Sequence, residues 1–116
     1  MPPRTPHRLI AVLTTTATEQ QAAAIARTLV DERLAACVNI VGPIRSVYRW
    51  RAAVEDEREF LLVIKTRATL YVKAESRIRQ LHSYEVPEVI CLPIGRGAPP
   101  YVKWLLESTA GGRVAK

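Results

Sequence analysis

Cysteine is scarce in this 116-residue chain: Cys37 and Cys91 are the two present, each set in an apolar stretch. Neither sits in a CxxC pair, which argues against a clustered zinc site. A disulfide is not expected, and both read as buried free thiols. No apolar run approaches the roughly 20 residues that a membrane span requires. The opening MPPRTPHR has no apolar segment behind its positive charges, so no signal peptide is expected and the cytoplasm is the expected compartment. Linkers, internal repeats and low-complexity tracts are also missing. The length fits one domain. We expect it at 8–109, between a mobile Pro-rich tail at 1–7 and a mobile Gly-rich tail at 110–116.

Acidic side chains are outnumbered, 11 against 17 basic ones, for a net charge of +6. Part of that excess lies in the tails, at Arg4, Arg8, Arg113 and Lys116, and the interior arginines are scattered rather than striped. The charge alone therefore does not point to a polyanion partner.

What is present is periodic. RLIAVLTT (Arg8–Thr15) is a short apolar run of strand formers. Thr18 and Gln21 have the spacing of a capping box, and Ala22, Ile25, Ala26, Leu29 and Val30 then mark one apolar helix face running to about Arg33. Ala36–Trp50 is rich in strand formers but broken by Gly42-Pro43, which either closes a hairpin or kinks one long edge strand. Glu59–Thr66 reads as a strand, Ala68–Leu81 as a helix through Leu70, Ala74, Ile78 and Leu81, and Glu88–Ile94 as a last strand. Pro100 suits the first position of a short helix to Ser108. The order β-α-β-β-α-β plus a terminal helix is the ferredoxin-like α+β arrangement, with two helices on one face of a four-stranded sheet.

A sheet covered on one face should alternate apolar with polar residues. Here Phe60, Leu62 and Ile64 oppose Leu61 and Val63, while Ile90, Leu92 and Ile94 oppose Val89 and Cys91. Leu9, Ala11 and Leu13 likewise oppose Ile10 and Val12. An apolar face of that extent needs a cover, and the terminal helix is too short to supply it. A homo-oligomer packed sheet against sheet is expected.

ERLAACVNIVGPIRSVYRW, EDEREFLLVIKT, LHSYEVPEVICLPI and YVKWL, in that order and spacing, resemble the CutA family of divalent-cation tolerance proteins from about Leu9 to Ser108. The resemblance implies a homotrimer with extended strands, in which Gly42-Pro43 kinks a long strand. It also implies divalent copper as a bound ion, a likeness to the PII signalling trimers, and no enzymatic reaction. Mammalian relatives are linked to membrane anchoring of acetylcholinesterase. Copper in bacterial relatives is associated with a cysteine at the end of the first strand and a His-His pair after the second helix; here those positions are Thr14 and Leu81-His82. The family's His-Pro-Tyr reads His82-Ser83-Tyr84, and its Gly-Lys after the tryptophan reads Ala52-Ala53. Cys37, Ser46, Tyr48, Trp50, Lys65, Thr66, Tyr84, Pro87 and Glu88 match.

Two sets of candidates follow. His82, just past a helix end, suits either a capping role or, with Glu85, Glu88 or a neighbouring subunit's Cys37, a metal contact. Tyr48, Trp50, Lys65, Tyr84 and Glu88 read either as interface packing or as the lining of an intersubunit cleft, with Lys65 receiving an anion and the rings an organic body. No nucleophile stands beside a base, and Glu85 and Glu88 do not form a catalytic pair, so turnover is not expected. RNA binding on an open ferredoxin-like face uses aromatics, and the central strands offer only Phe60. The expectation is a cytoplasmic homotrimer that requires no cofactor, at most binds divalent copper weakly or an unidentified small ligand between subunits, and engages neither nucleic acid nor membrane. A PII-like signalling or scaffold role is the alternative.

Overall fold

The computed structural model describes residues 9–111. The expected tails, 1–7 and 110–116, lie outside that range except for Ala110 and Gly111, which continue a turn after the last helix. The elements are β1 (Leu9–Thr16), α1 (Glu19–Asp31), β2 (Cys37–Trp50), β3 (Ala53–Arg67), α2 (Tyr71–Leu81), β4 (Ile90–Ile94) and α3 (Pro99–Ser108). A 3-10 turn, Ala68–Leu70, leads into α2. The sheet order is β2-β3-β1-β4, antiparallel throughout, which is the ferredoxin-like topology.

Thr18 caps α1 as its sequence predicts: its backbone is extended and its Oγ1 accepts the Gln21 amide at 3.1 Å. The Gln21 side chain does not close the box. Instead its Nε2 donates to the Leu81 carbonyl at 3.3 Å, and its Oε1 accepts from Ser83 Oγ at 2.7 Å and from the Ser83 amide at 3.2 Å. One polar side chain thereby ties the start of α1 to the segment leaving α2. Ala22, Ile25 and Leu29 of α1 and Ile78 of α2 are fully buried, packed over Val12, Leu62 and Ile64 of the central strands. Each buried valine, leucine or isoleucine contributes about 1.5–3 kcal/mol, so this layer carries most of the fold.

The opposite face is covered only at one end. There α3 seats Leu105 against Leu9, Ala36 and Ile94, and Arg67 Nε donates to Thr109 Oγ1 at 2.9 Å. Elsewhere Ile90 and Leu92 stay 50% exposed. Cys91 is exposed and Cys37 half-buried, a correction to the expected pair of core thiols. The reason is positional: β4 is an edge strand and β2 the other edge, beyond the area that α1 and α2 roof over.

Phe60–Arg67 of β3 pairs with β1, and Ala53–Glu59 runs on past the end of β1, paired with β2 alone. This two-stranded ribbon extends for about 20 Å at roughly 3.4 Å per residue. It is the extended strand pair that the resemblance implies, and Arg51-Ala52 closes it, with Arg51 at φ 53°. Gly42-Pro43 is therefore not a hairpin turn. It forms a bulge between Val41 and Ile44, opposite Phe60. Glycine is required there because a Cβ at residue 42 would lie 2.4 Å from Phe60 Cδ2.

Candidate functional site

Past the bulge, Ile44, Ser46, Tyr48 and Trp50 of β2 stand opposite Glu59, Glu57, Glu55 and Ala53 of β3. The segment after α2 folds back against this ribbon. Between them lies a cleft of about 740 Å³, within the range of small-ligand sites, lined by Ser46, Tyr48 and Trp50 on the ribbon, Thr15 and Glu59 at its floor, and Tyr84, Glu85 and Glu88 on the returning segment.

Glu59 is 5% exposed. Tyr84 Oη donates to its Oε2 at 2.6 Å. Burial, this bond and the adjacent negative charge push the Tyr84 phenol far above its ordinary range, so it stays protonated as the donor. Tyr48 is also raised, by partial loss of hydration first and then by Glu59, Glu57 and Glu55. Loss of hydration at the cleft wall, then the charge of Glu59, raises the Glu88 carboxyl. In all three, loss of hydration is the largest cause, and the charge of nearby carboxylates adds to it in the same direction. At the rim, Arg51 Nη2 donates to Glu85 Oε1 at 3.0 Å, and its guanidinium lies 5.0 Å from the centre of the Trp50 ring.

His82 is 9% exposed, and its ring is turned inward rather than capping α2 from solvent. Nε2 lies 2.7 Å from the Thr15 carbonyl, and Nδ1 lies 3.1 Å from the Tyr84 amide. A carbonyl can only accept and an amide N–H can only donate. The ring is thus the neutral tautomer with its proton on Nε2. Both nitrogens are committed, and the ring packs 4.7 Å from that of Tyr84. His82 works as a splint: it joins the end of β1 to the backbone of the residue that holds Glu59.

Of the residues expected to line a ligand cleft, the structure brings Tyr48, Trp50, Tyr84 and Glu88 together. Lys65 is not with them. It lies six positions along β3 from Glu59, about 20 Å away at strand spacing, beside Cys37 and hydrogen-bonded through Nζ to Asn39 Oδ1. Among the described residues no Lys65–Glu88 pair forms. Cys37 and His82 are not brought together within the chain. Cys37 is level with Lys65 and Ala11, whereas His82 meets Thr15, four positions along β1 and about 13 Å away.

Glu59 was not among the expected site residues. Alternation along EFLLVIKT puts it on the same face as Leu61 and Val63. A carboxylate in an otherwise apolar series is the signal that could have found it.

The family model for the CutA1 divalent ion tolerance protein matches residues 10–108. The chain belongs to this family. It is 47% identical over 98 residues to the divalent-cation tolerance protein CutA of Thermus thermophilus, covering 84% of this chain and 95% of that one. It is 41% identical over 104 residues to the mouse protein CutA, covering 90% of this chain and spanning 59% of the mouse protein. Among solved structures, CutA1 from Oryza sativa superposes with a TM-score of 0.86 at 42% identity, over 88% of this chain and 94% of that one. Relatives bear both chloroplastic and periplasmic names, so family membership spans compartments. No helix among the described residues is long and apolar enough to cross a membrane.

Within this family member, the donors that the resemblance associates with copper do not assemble in one chain. Thr14, at the cysteine position, is fully buried on the helix-covered face opposite Leu62, away from the cleft. His82 has no free nitrogen. No group of three His, Cys, Asp or Glu residues suited to a metal ion occurs among the described residues.

Proposed function

We propose that this CutA1 family member works as a homotrimer that captures a cation in the cleft beneath Tyr48 and Trp50, by binding rather than turnover. The observation that carries this reading is the charge of the cleft: Glu59, Glu85 and Glu88 line it, Arg51 at the rim pairs with Glu85, and among the described residues no lysine or arginine pairs with Glu59 or Glu88. On a chain of net charge +6 that concentration of carboxylates is local, and it reverses the sign expected when Lys65 was placed there. The divalent-cation tolerance names of its relatives agree in sign with such a cleft. Divalent copper, where it enters, is held weakly, since two or more strong donors would have to come from another subunit.

Self-association is supported by the uncovered face. Ile90, Leu92 and Val41 are exposed there, beside the half-buried Leu61 and Val63, and the ribbon projects beyond β1 with Tyr48 and Trp50 near its tip. A second and third copy would cover these residues and wall in the cleft.

The test is calorimetric titration of the assembled protein with a panel of metal and organic cations, copper included, against the Glu59→Gln, Glu88→Gln double variant. Binding lost in the variant supports the reading. A panel in which no cation shows carboxylate-dependent binding would remove it.

A further inference from the structure

The occupant of the cleft can be narrowed from its walls. Glu59 is a buried carboxylate that receives one hydroxyl donor, from Tyr84, and enters no ion pair among the described residues. A buried charge without a counter-ion costs several kcal/mol, and a cation entering the cleft would offset that cost. The carboxylates present are not grouped as a coordination shell. A strongly hydrated divalent ion needs several oxygen donors at once to replace its water. An organic ammonium sheds water more easily and gains from aromatic faces. Tyr48 and Trp50 provide those faces on the ribbon side of the cleft.

The rim already contains a small version of this recognition. The Arg51 guanidinium rests over Trp50 at 5.0 Å and is hydrogen-bonded to Glu85 at 3.0 Å, so an aromatic face and a carboxylate hold a cation between them. That cation belongs to the chain itself and sits at the mouth. The carboxylate at the floor, Glu59, has no such occupant. Both Arg51 and Glu85 are well exposed, with side chains at 70% and 73%, so the rim pair can open at small cost.

We propose that the cleft binds an organic ammonium ion, its charged nitrogen toward Glu59 and Glu88 and its carbon body against Tyr48 and Trp50, with Arg51 as a built-in competitor for the Trp50 face. This rests on the reading that the cleft takes a cation, and it names the class. The fit is to an alkyl- or arylammonium of modest size, because 740 Å³ exceeds what a bare ion fills.

The experiment is titration calorimetry of the assembled protein with phenethylammonium at pH 7.5, alongside the neutral 2-phenylethanol and copper(II) alone. The ammonium should bind about tenfold or more tightly than the alcohol, a margin typical of a desolvated cation over an aromatic face beside a carboxylate. Glu59→Gln should erase that preference while keeping an acceptor for Tyr84, and Glu88→Gln, on the cleft wall, should reduce it independently. Arg51→Asn, which tolerates the positive φ, should tighten the ammonium by a few fold through removal of the competitor. Equal binding of amine and alcohol, or an amine preference untouched by both glutamine variants, overturns the proposal. Copper binding lost in the glutamine variants, without amine binding, also overturns it but leaves the cation reading intact. Failure of copper and amine alike overturns the proposal, and if the rest of the cation panel is silent as well, the cation reading falls with it.

Discussion

Tyr84 donates its phenolic proton to the buried carboxylate of Glu59 across 2.6 Å, joining residues 25 positions apart on the returning segment and the ribbon. The bond gives the cleft its floor, since without it nothing polar on the segment after α2 fastens to β3. Tyr84→Phe removes the donor and leaves the carboxylate buried. Loss of about 1.5–3 kcal/mol is expected, the range for a hydrogen bond to a charged group, read from urea denaturation at pH 7.5. Glu59→Gln keeps an acceptor and should lose less.

His82→Ala should act on folding and not on metal. It leaves the Thr15 carbonyl and the Tyr84 amide without the ring that joins them, at a cost of about 1–3 kcal/mol. The heat of copper titration should equal that of the unsubstituted protein. A copper signal that vanishes with His82 while stability holds would contradict the splint role.

Cation binding should strengthen as pH rises through the Glu88 titration. Loss of hydration at the cleft wall, then the charge of Glu59, holds this carboxyl above the ordinary 4.5, so the uncharged form persists to higher pH than in the unfolded chain. A bound cation favours the carboxylate and expels the proton. Affinity should therefore fall on acidification through the raised value, by up to about tenfold per pH unit for one linked proton. Calorimetry in buffers of different ionisation enthalpy would show the released proton directly. The stability contribution runs the other way: the raised pKa favours the folded state below the unfolded value, and that gain is lost as pH climbs through the folded one.

Gly42→Ala drives a methyl group into the Phe60 ring. The expected cost is about 1–3 kcal/mol, as for other overpacked sites. Phe60→Leu in the same background should recover part of it. Additive losses in a double-mutant cycle would show that the contact does not control the site.

Leu92→Asp places a charge on the uncovered face of β4, where Leu92 is 50% exposed in the single chain. If a neighbouring subunit covers this face, size-exclusion chromatography with light scattering should show the trimer giving way to monomer. An unchanged mass would exclude this strand from the interface.

The parts of the fold that were legible in the sequence are those where burial imposes a period. Ala22, Ile25 and Leu29 announce α1, and Leu62 and Ile64 announce the centre of β3, because the core rejects polar side chains at those positions. The ribbon end of β3, AVEDERE, left no such trace: it has no core behind it, so charged residues are admitted and the strand looks like a loop. The grouping of Tyr48, Trp50, Tyr84 and Glu88 is legible in the sequence, but the separation of Lys65 from them is not, since residue types do not disclose how far along a strand each one lies. The fate of His82 depends on a carbonyl 67 positions away, which no local pattern records.

The bulge at Gly42-Pro43 has a consequence for the chemistry of the cleft. Strict alternation from Val41, which faces Leu61, would assign Pro43, Arg45, Val47 and Arg49 to the face that carries Glu59. The bulge advances the count by one, so that Ser46, Tyr48 and Trp50 take those places. Gly42-Pro43 is thus a phase shifter: were both residues paired in regular alternation, with no bulge, the aromatic wall would turn outward and two arginines would meet an acidic floor. The character of a site some twenty ångströms long is decided by one residue in the bend that is left out of the pairing.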